Sequence, residues 1–172
     1  TLDGLQRQRY PQNRYTVLVV ENGSTDATYA IARQYAAANL HVLRSATGVS
    51  KAKNAGLNEV PTRSDWVVLL DADTRVGPDF LGQLGRYLER PGLRGAVIGS
   101  ARLRPEGGGR KAELWFAWLN TVHRLTRTSM SLQIVRGDVA RRVRFREDLT
   151  TNEDTAFIRR CLQTGRFFFW DT

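Results

Sequence analysis

The stretch Trp66-Val67-Val68-Leu69-Leu70-Asp71-Ala72-Asp73-Thr74 decides the fold. Its first five residues form an unbroken apolar run of β-branched, aromatic and leucine side chains. That is the pattern of a strand buried on both faces, as in the middle of a parallel sheet. The run stops at two carboxylates one residue apart. In open α/β sheets, ligands bind outside the carboxyl ends of the strands, so Asp71 and Asp73 stand where a small partner is within reach. Hard carboxylate oxygens suit Mg²⁺ or Mn²⁺, and Mg²⁺ usually takes one or two carboxylates with phosphates completing its shell. The same two residues also suit a plain turn, where aspartate is common for backbone reasons. The pair alone does not separate these readings.

Toward the N-terminus, Gly48 to Val60 reads as a helix, with Gly56 inside it. A glycine there costs about 1 kcal/mol against alanine, which suggests a close approach by something else. Leu40 to Leu43 is a short strand. Before it, Asp26 to Ala38 has a mostly helical apolar pattern, led by the N-cap cluster Ser24, Thr25 and Asp26. Thr16 to Val20 is an earlier buried strand that ends at Glu21-Asn22-Gly23-Ser24. A helix start at a strand's end is also an anion site, so capping and ligand binding are compatible. Thr1 to Arg9 resembles the tail of a helix.

Toward the C-terminus, Pro78 sits in the first turn of a helix reaching about Glu89. Gly95 to Ala101 is a strand, and Pro105 to Gly109 is a glycine-rich loop and a candidate for movement. Ala112 to Leu125 is a helix whose aromatic stripe, Trp115, Phe116 and Trp118, reads as core, with His123 an ordinary surface or satisfied histidine. Ser131 to Val135 is a strand. Thr150 with Glu153 and Thr151 with Asp154 fit capping boxes ahead of another helix, which Gly165 would stop. Phe167 to Trp170 is the last strand. Alternating strands and helices predict a doubly wound, mostly parallel sheet with helices on both faces.

At 172 residues, 41% hydrophobic and 25% charged, the chain reads as one globular domain. No apolar run approaches the roughly 20 residues of a membrane helix. Cys161 is the only cysteine, which excludes an internal disulfide and a cysteine-based zinc site and fits the cytoplasm, with the inner face of the membrane left open. The net charge of +9 favours anionic partners, among them nucleotides, phosphates and an anionic membrane surface. The cations are spread along the chain and no nucleic-acid module is visible, so no specific nucleic acid is expected.

Four stretches in order carry a resemblance: Val19 to Thr28, Gly48 to Leu57, Leu70 to Asp73, and Glu153-Asp154 ahead of Arg159-Arg160 and Gly165. Together they resemble the nucleotide-sugar glycosyltransferases of family 2, which have the GT-A fold. The resemblance covers about Tyr10 to Trp170 and implies a metal-dependent, inverting transfer of a sugar from a nucleotide diphosphate to an acceptor hydroxyl. By that resemblance, Glu21, Asn22, Gly23, Ser24 and Asp26 would contact the base and ribose. Lys53 and Asn54 would face the diphosphate. Asp71 would reach the ribose or a metal-bound water, Ala72 would line the nucleotide, and Asp73 would hold Mn²⁺ or Mg²⁺. Asp154 would be the general base, supported by Glu153. Two departures stand out: Glu21 replaces the usual aspartate, and Lys53 replaces a frequent arginine, keeping a point charge and losing the bidentate fork.

The resemblance further implies a catalytic domain over 1–172 that is truncated at both ends, lacking the family's first strand and C-terminal elements. The partners implied are a nucleotide diphosphate sugar and a saccharide, lipid-linked or small-molecule acceptor. Two rival readings remain: a sugar-phosphate nucleotidyltransferase, which would want a glycine-rich phosphate loop that is not visible, and a non-catalytic relative that binds nucleotide or a membrane surface.

Overall fold

A computed structural model describes residues 1–129 and 131–171. The helices are α1 (Leu2–Gln6), α2 (Thr28–Arg33), α3 (Val49–Asn58), α4 (Phe80–Leu88), α5 (Gly109–Thr126), α6 (Gly137–Ala140) and α7 (Glu153–Cys161). The strands are β1 (Val17–Glu21), β2 (Leu40–Arg44), β3 (Trp66–Leu70), β4 (Ala96–Ala101), β5 (Leu132–Arg136) and β6 (Arg166–Trp170). The expected alternation of strand and helix is present through the first four strands, and the fold is mixed α/β.

Pairing is where the structure departs from the sequence reading. β1 and β2 form a parallel pair of their own. β3, β5, β4 and β6 form a second sheet in that order, with β5 antiparallel to both neighbours and β6 parallel to β4. β3 is therefore an edge strand with an antiparallel partner, and all five of its residues are only half-buried. An apolar run reports that a strand is covered, but the hydrogen-bonding direction of its neighbour is set by a segment 62 to 70 residues away that the run does not encode.

Alternation along the strands assigns the two faces of the larger sheet. Val67, Leu69 and Val135 pack under Leu57 of α3, Val139 and Ala140 of α6, and Phe157, Ile158 and Cys161 of α7. Trp66, Val68, Leu70 and Ile134 pack on the other face with Phe80, Leu84 and Tyr87 of α4, and with Phe168 and Trp170. Each large apolar side chain fully buried this way contributes about 1.5–3 kcal/mol. Phe145 and Phe157 stack at 4.0 Å in the first layer, and Trp66 meets Phe168 edge-on at 5.8 Å in the second. Helices thus cover both faces, as expected.

Gly56 has the predicted close neighbour: a Cβ there would lie 3.2 Å from Val20 Cγ2, so α3 sits directly against β1. Gly165 works differently from its expected role as a helix stop. Its backbone is extended, and a Cβ would lie 2.4 Å from Val97 Cγ1 and 2.6 Å from the Gly95 carbonyl oxygen. The residue is small because β6 begins against β4.

Four further expectations are corrected. The helix expected over 26–38 is only α2, since Asp26 turns the chain by accepting the Thr28 N–H at 2.9 Å. Neither capping box forms ahead of α7; its N-cap is Asn152, in the left-handed region, without a side-chain cap. Trp115 and Trp118 are exposed, because α5 turns Ala112, Phe116, Leu119, Asn120 and His123 inward instead. His123 is buried with its Nδ1 lacking a partner, and burial pushes its pKa down.

Candidate functional site

Two independent features bring the acids together. Asp71 follows Val67 and Leu69 in alternation, so it leaves β3 toward the face covered by α3 and α7. Its N–H donates to the Ser131 carbonyl at 3.0 Å, and the Thr74 N–H closes a turn on the Asp71 carbonyl at 3.0 Å. Thr1 Oγ1 donates to the carbonyls of Ala72 and, at 2.8 Å, of Thr74, so the turn is held from outside as well. Ala72 and Asp73 are exposed at its tip.

On the same face α7 begins with Glu153 and Asp154. Lys53, from the middle of α3, places Nζ 2.6 Å from Asp154 Oδ1 and 4.0 Å from Glu153 Oε1. Gln133 Nε2 donates to the same Asp154 oxygen at 2.6 Å. Among the described residues Asp154 Oδ2 has no donor. Burial pushes the Asp154 carboxyl above its ordinary range against the pull of Lys53. Burial also raises Asp71; Lys53 opposes this, while the charges of Asp154, Asp73 and Glu153 add to it. Asp71, Glu153 and Asp154 therefore share Lys53 on one rim, and Asp71 and Asp154 hold their protons more tightly than usual.

The loop after β1 is built around its own side chains. Glu21 is buried, with one carboxylate oxygen accepting the Ser24 N–H and the other accepting Arg44 Nε at 3.2 Å. The Ser24 bond, followed by Arg44, holds its pKa below the usual range. The Glu21 carboxylate is thus engaged within its own loop and with β2. Asn22 Oδ1 accepts the Gly48 N–H at 2.7 Å and fastens the loop to the start of α3. Gly23 is in the left-handed region, and a Cβ on it would collide with Thr47. Asp26 is exposed.

Asn54 is likewise engaged by the protein itself. Its amide is buried and fully engaged: Oδ1 accepts the Phe145 N–H at 2.8 Å, while Nδ2 donates to the Phe145 carbonyl at 3.0 Å and to Glu147 Oε1 at 2.9 Å. It holds Phe145 against α3 and has no hydrogen left for a diphosphate. The residue that sequence reasoning missed is Gln133. The signal was available, since it is the one polar side chain in the run Leu132-Gln133-Ile134-Val135, and a polar group in a buried strand needs a partner.

Among the described residues no three His, Cys, Asp or Glu side chains converge as a ready-made metal cage. Asp71 and Asp73 offer hard oxygens one residue apart, within a surplus of negative charge. That donor set fits a Mg²⁺ or Mn²⁺ ion shared with a ligand's phosphates better than an ion held by protein alone.

The chain matches the profile described as Glycosyl transferase family 2 over residues 1–164. It is 39% identical over 88 residues to a beta-monoglucosyldiacylglycerol synthase of Synechocystis sp., covering 48% of this chain and 18% of the relative. It is 31% identical over 123 residues to the glycosyltransferase AglE of Haloferax volcanii, covering 69% of this chain and 40% of that protein. Its fold is similar to that of S. aureus TarS 1–349, with a TM-score of 0.76 at 20% identity over 98% of this chain and 52% of TarS 1–349. The same TarS region in complex with UDP-GlcNAc superposes with a TM-score of 0.75 at 19% identity, over 99% of this chain and 53% of that one. The chain thus spans less than half the length of these two sequence relatives and about half of TarS 1–349. With a mixed α/β, GT-A-like fold and a matching profile along most of its length, the chain belongs to glycosyl transferase family 2.

Proposed function

We propose that this domain moves a sugar from a nucleoside diphosphate to an acceptor hydroxyl with inversion at the anomeric carbon. The observation that carries the reading is the Asp154 carboxylate. Lys53 and Gln133 occupy its Oδ1 and fix its direction, while Oδ2 is left without a donor on the rim shared with Asp71. A general base needs that arrangement: a held carboxylate with one free oxygen and a pKa moved toward neutrality.

In the proposed reaction the acceptor oxygen bonds to the anomeric carbon as the bond from that carbon to the diphosphate oxygen breaks. The bonding pair leaves with the diphosphate, and the acceptor proton passes to Asp154 Oδ2. A single displacement with one base inverts the configuration, by analogy with inverting glycosidases. Asp71 and Asp73 would hold the divalent cation. That ion supplies Lewis-acid stabilisation of charge developing on the diphosphate. Lys53 adds a fixed positive charge to the same rim. Glu153, 4.0 Å from Lys53 Nζ, keeps that charge shared between the two acids.

A uridine nucleotide is the first donor to test, since TarS structures have been solved with UDP and with UDP-GlcNAc. Calorimetric titration of UDP, GDP and dTDP with and without Mn²⁺ tests the reading. The expected result is diphosphate binding that strengthens when the metal is present. Tight binding of a nucleoside triphosphate together with a sugar phosphate, or no nucleotide binding at all, would overturn it.

A further inference from the structure

α5 has two apolar sides. Phe116 and Leu119 turn inward beside the buried Asn120 and His123, and Asn120 exchanges two hydrogen bonds with the Leu103 backbone, at 2.9 and 2.8 Å. Leu114, Trp115, Trp118 and Leu125 turn outward and are 72, 58, 56 and 76% exposed. At 100° per residue they form one stripe along about three turns of helix. The two indoles lie 5.0 Å apart. Among the described residues only Ile31 and Val49 are comparably large and exposed, and neither is on this helix. Monomers rarely leave such a contiguous strip open to water.

The surroundings of the stripe identify what covers it. Arg110 and Lys111 border it at its N-terminal end, both exposed. Among the described residues neither of them is paired with a carboxylate. Glu113, the only acid of α5, and Arg124 lie about 140° and 120° round the helix from Trp118, together on the far flank. Arg124 and Arg127 instead wall a groove of about 420 Å³ with Arg166, Phe167 and Phe169 of β6. Tryptophan beside lysine and arginine is the composition of a helix lying in the plane of a membrane interface, with indoles at headgroup depth. A second copy of the chain suits the stripe poorly. Two apposed stripes would bring the same cations together on chains that each carry +9. No described helix is long and apolar enough to cross a membrane.

We propose that the Leu114–Leu125 stripe seats α5 on the surface of an anionic lipid bilayer. β4 and β5 are antiparallel neighbours, so the end of β4 and the start of β5 lie at one edge of the sheet, where Leu132 pairs with Leu70 beside Asp71. α5 connects those two points. Its C-terminal half reaches Arg166, Phe167 and Phe169 on β6, the edge of the sheet opposite β3. The seating does not rest on the transferase reading, because it is measured without turnover.

The test is co-sedimentation of the full chain with vesicles of phosphatidylcholine mixed with phosphatidylglycerol, and with phosphatidylcholine alone, alongside tryptophan emission. The wild type should bind the anionic vesicles with a blue shift. The W115S/W118S double variant should bind about a hundredfold more weakly, from the apolar area two indoles bury. Circular dichroism of this surface variant checks that it folds, and L114Q/L125Q provides a second variant without tryptophan loss. Three outcomes overturn the proposal: no wild-type binding, equal binding by wild type and both variants, or a self-association that the variants abolish.

Discussion

Lys53 Nζ lies 2.6 Å from Asp154 Oδ1, joining α3 to the start of α7 across 101 residues of sequence. Both side chains are mostly buried and Gln133 completes the contact, so this is a shielded ion pair, unlike the exposed Arg9–Asp79 pair at 3.7 Å. Exposed pairs contribute little, whereas losing one partner of a shielded pair strands the other charge. We predict that Lys53→Met costs about 3 kcal/mol of stability and pushes the Asp154 and Asp71 carboxyls further up. Chemical denaturation and carboxyl NMR titration measure both. A variant as stable as the wild type, with unmoved carboxyls, would show that the pair is incidental.

The two ends of the acidic rim should separate genetically. Asp73→Asn is predicted to remove the metal-dependent part of nucleotide affinity. Asp154→Asn should leave that affinity within about threefold of wild type and lower turnover by at least a hundredfold, the usual range for a lost general base. Calorimetry with UDP and Mn²⁺, run beside a transfer assay, reads the difference. The base assignment fails if the Asp154 variant keeps its turnover.

Asp71 gives a pH signature of definite sign. Its folded pKa is raised above the ordinary 3.8, with burial the largest cause. Between 3.8 and the folded value the native state binds more protons than the unfolded state, so stability falls as pH rises through that window. Asp71→Asn removes this penalty. The variant is predicted to melt higher than wild type at pH 7, with the gain shrinking as the pH drops toward 3.8. Thermal melts across that range decide; a variant that melts lower at neutral pH contradicts the electrostatic account.

Asn54 is predicted to matter for stability. Asn54→Ala leaves the Phe145 N–H and carbonyl unpaired inside the protein, at a cost of about 2–3 kcal/mol. Nucleotide affinity, corrected for the folded fraction, should stay close to wild type. A large loss of affinity with an unchanged melting temperature would return Asn54 to the ligand side.

Much of the architecture is local and therefore written in the chain. Apolar runs ending in polar residues located all six described strands to within a residue at each end, because burial selects side chains one position at a time. Asp71, Glu153 and Asp154 were legible as acids at element ends, and Gly56 as a close approach to another element. What each polar group does depended on residues far away in sequence. Glu21 and Asn54 matched ligand positions by motif, yet Arg44 and Phe145 engage them. Gln133 gained its importance only when β5 came to lie beside β3. Trp115 and Trp118 fit a core pattern, but a helix has two sides and the fold alone selects which one faces inward. Conformation and burial are preferences of short segments, whereas hydrogen-bond partners, strand direction and shared charge arise only once distant segments have met.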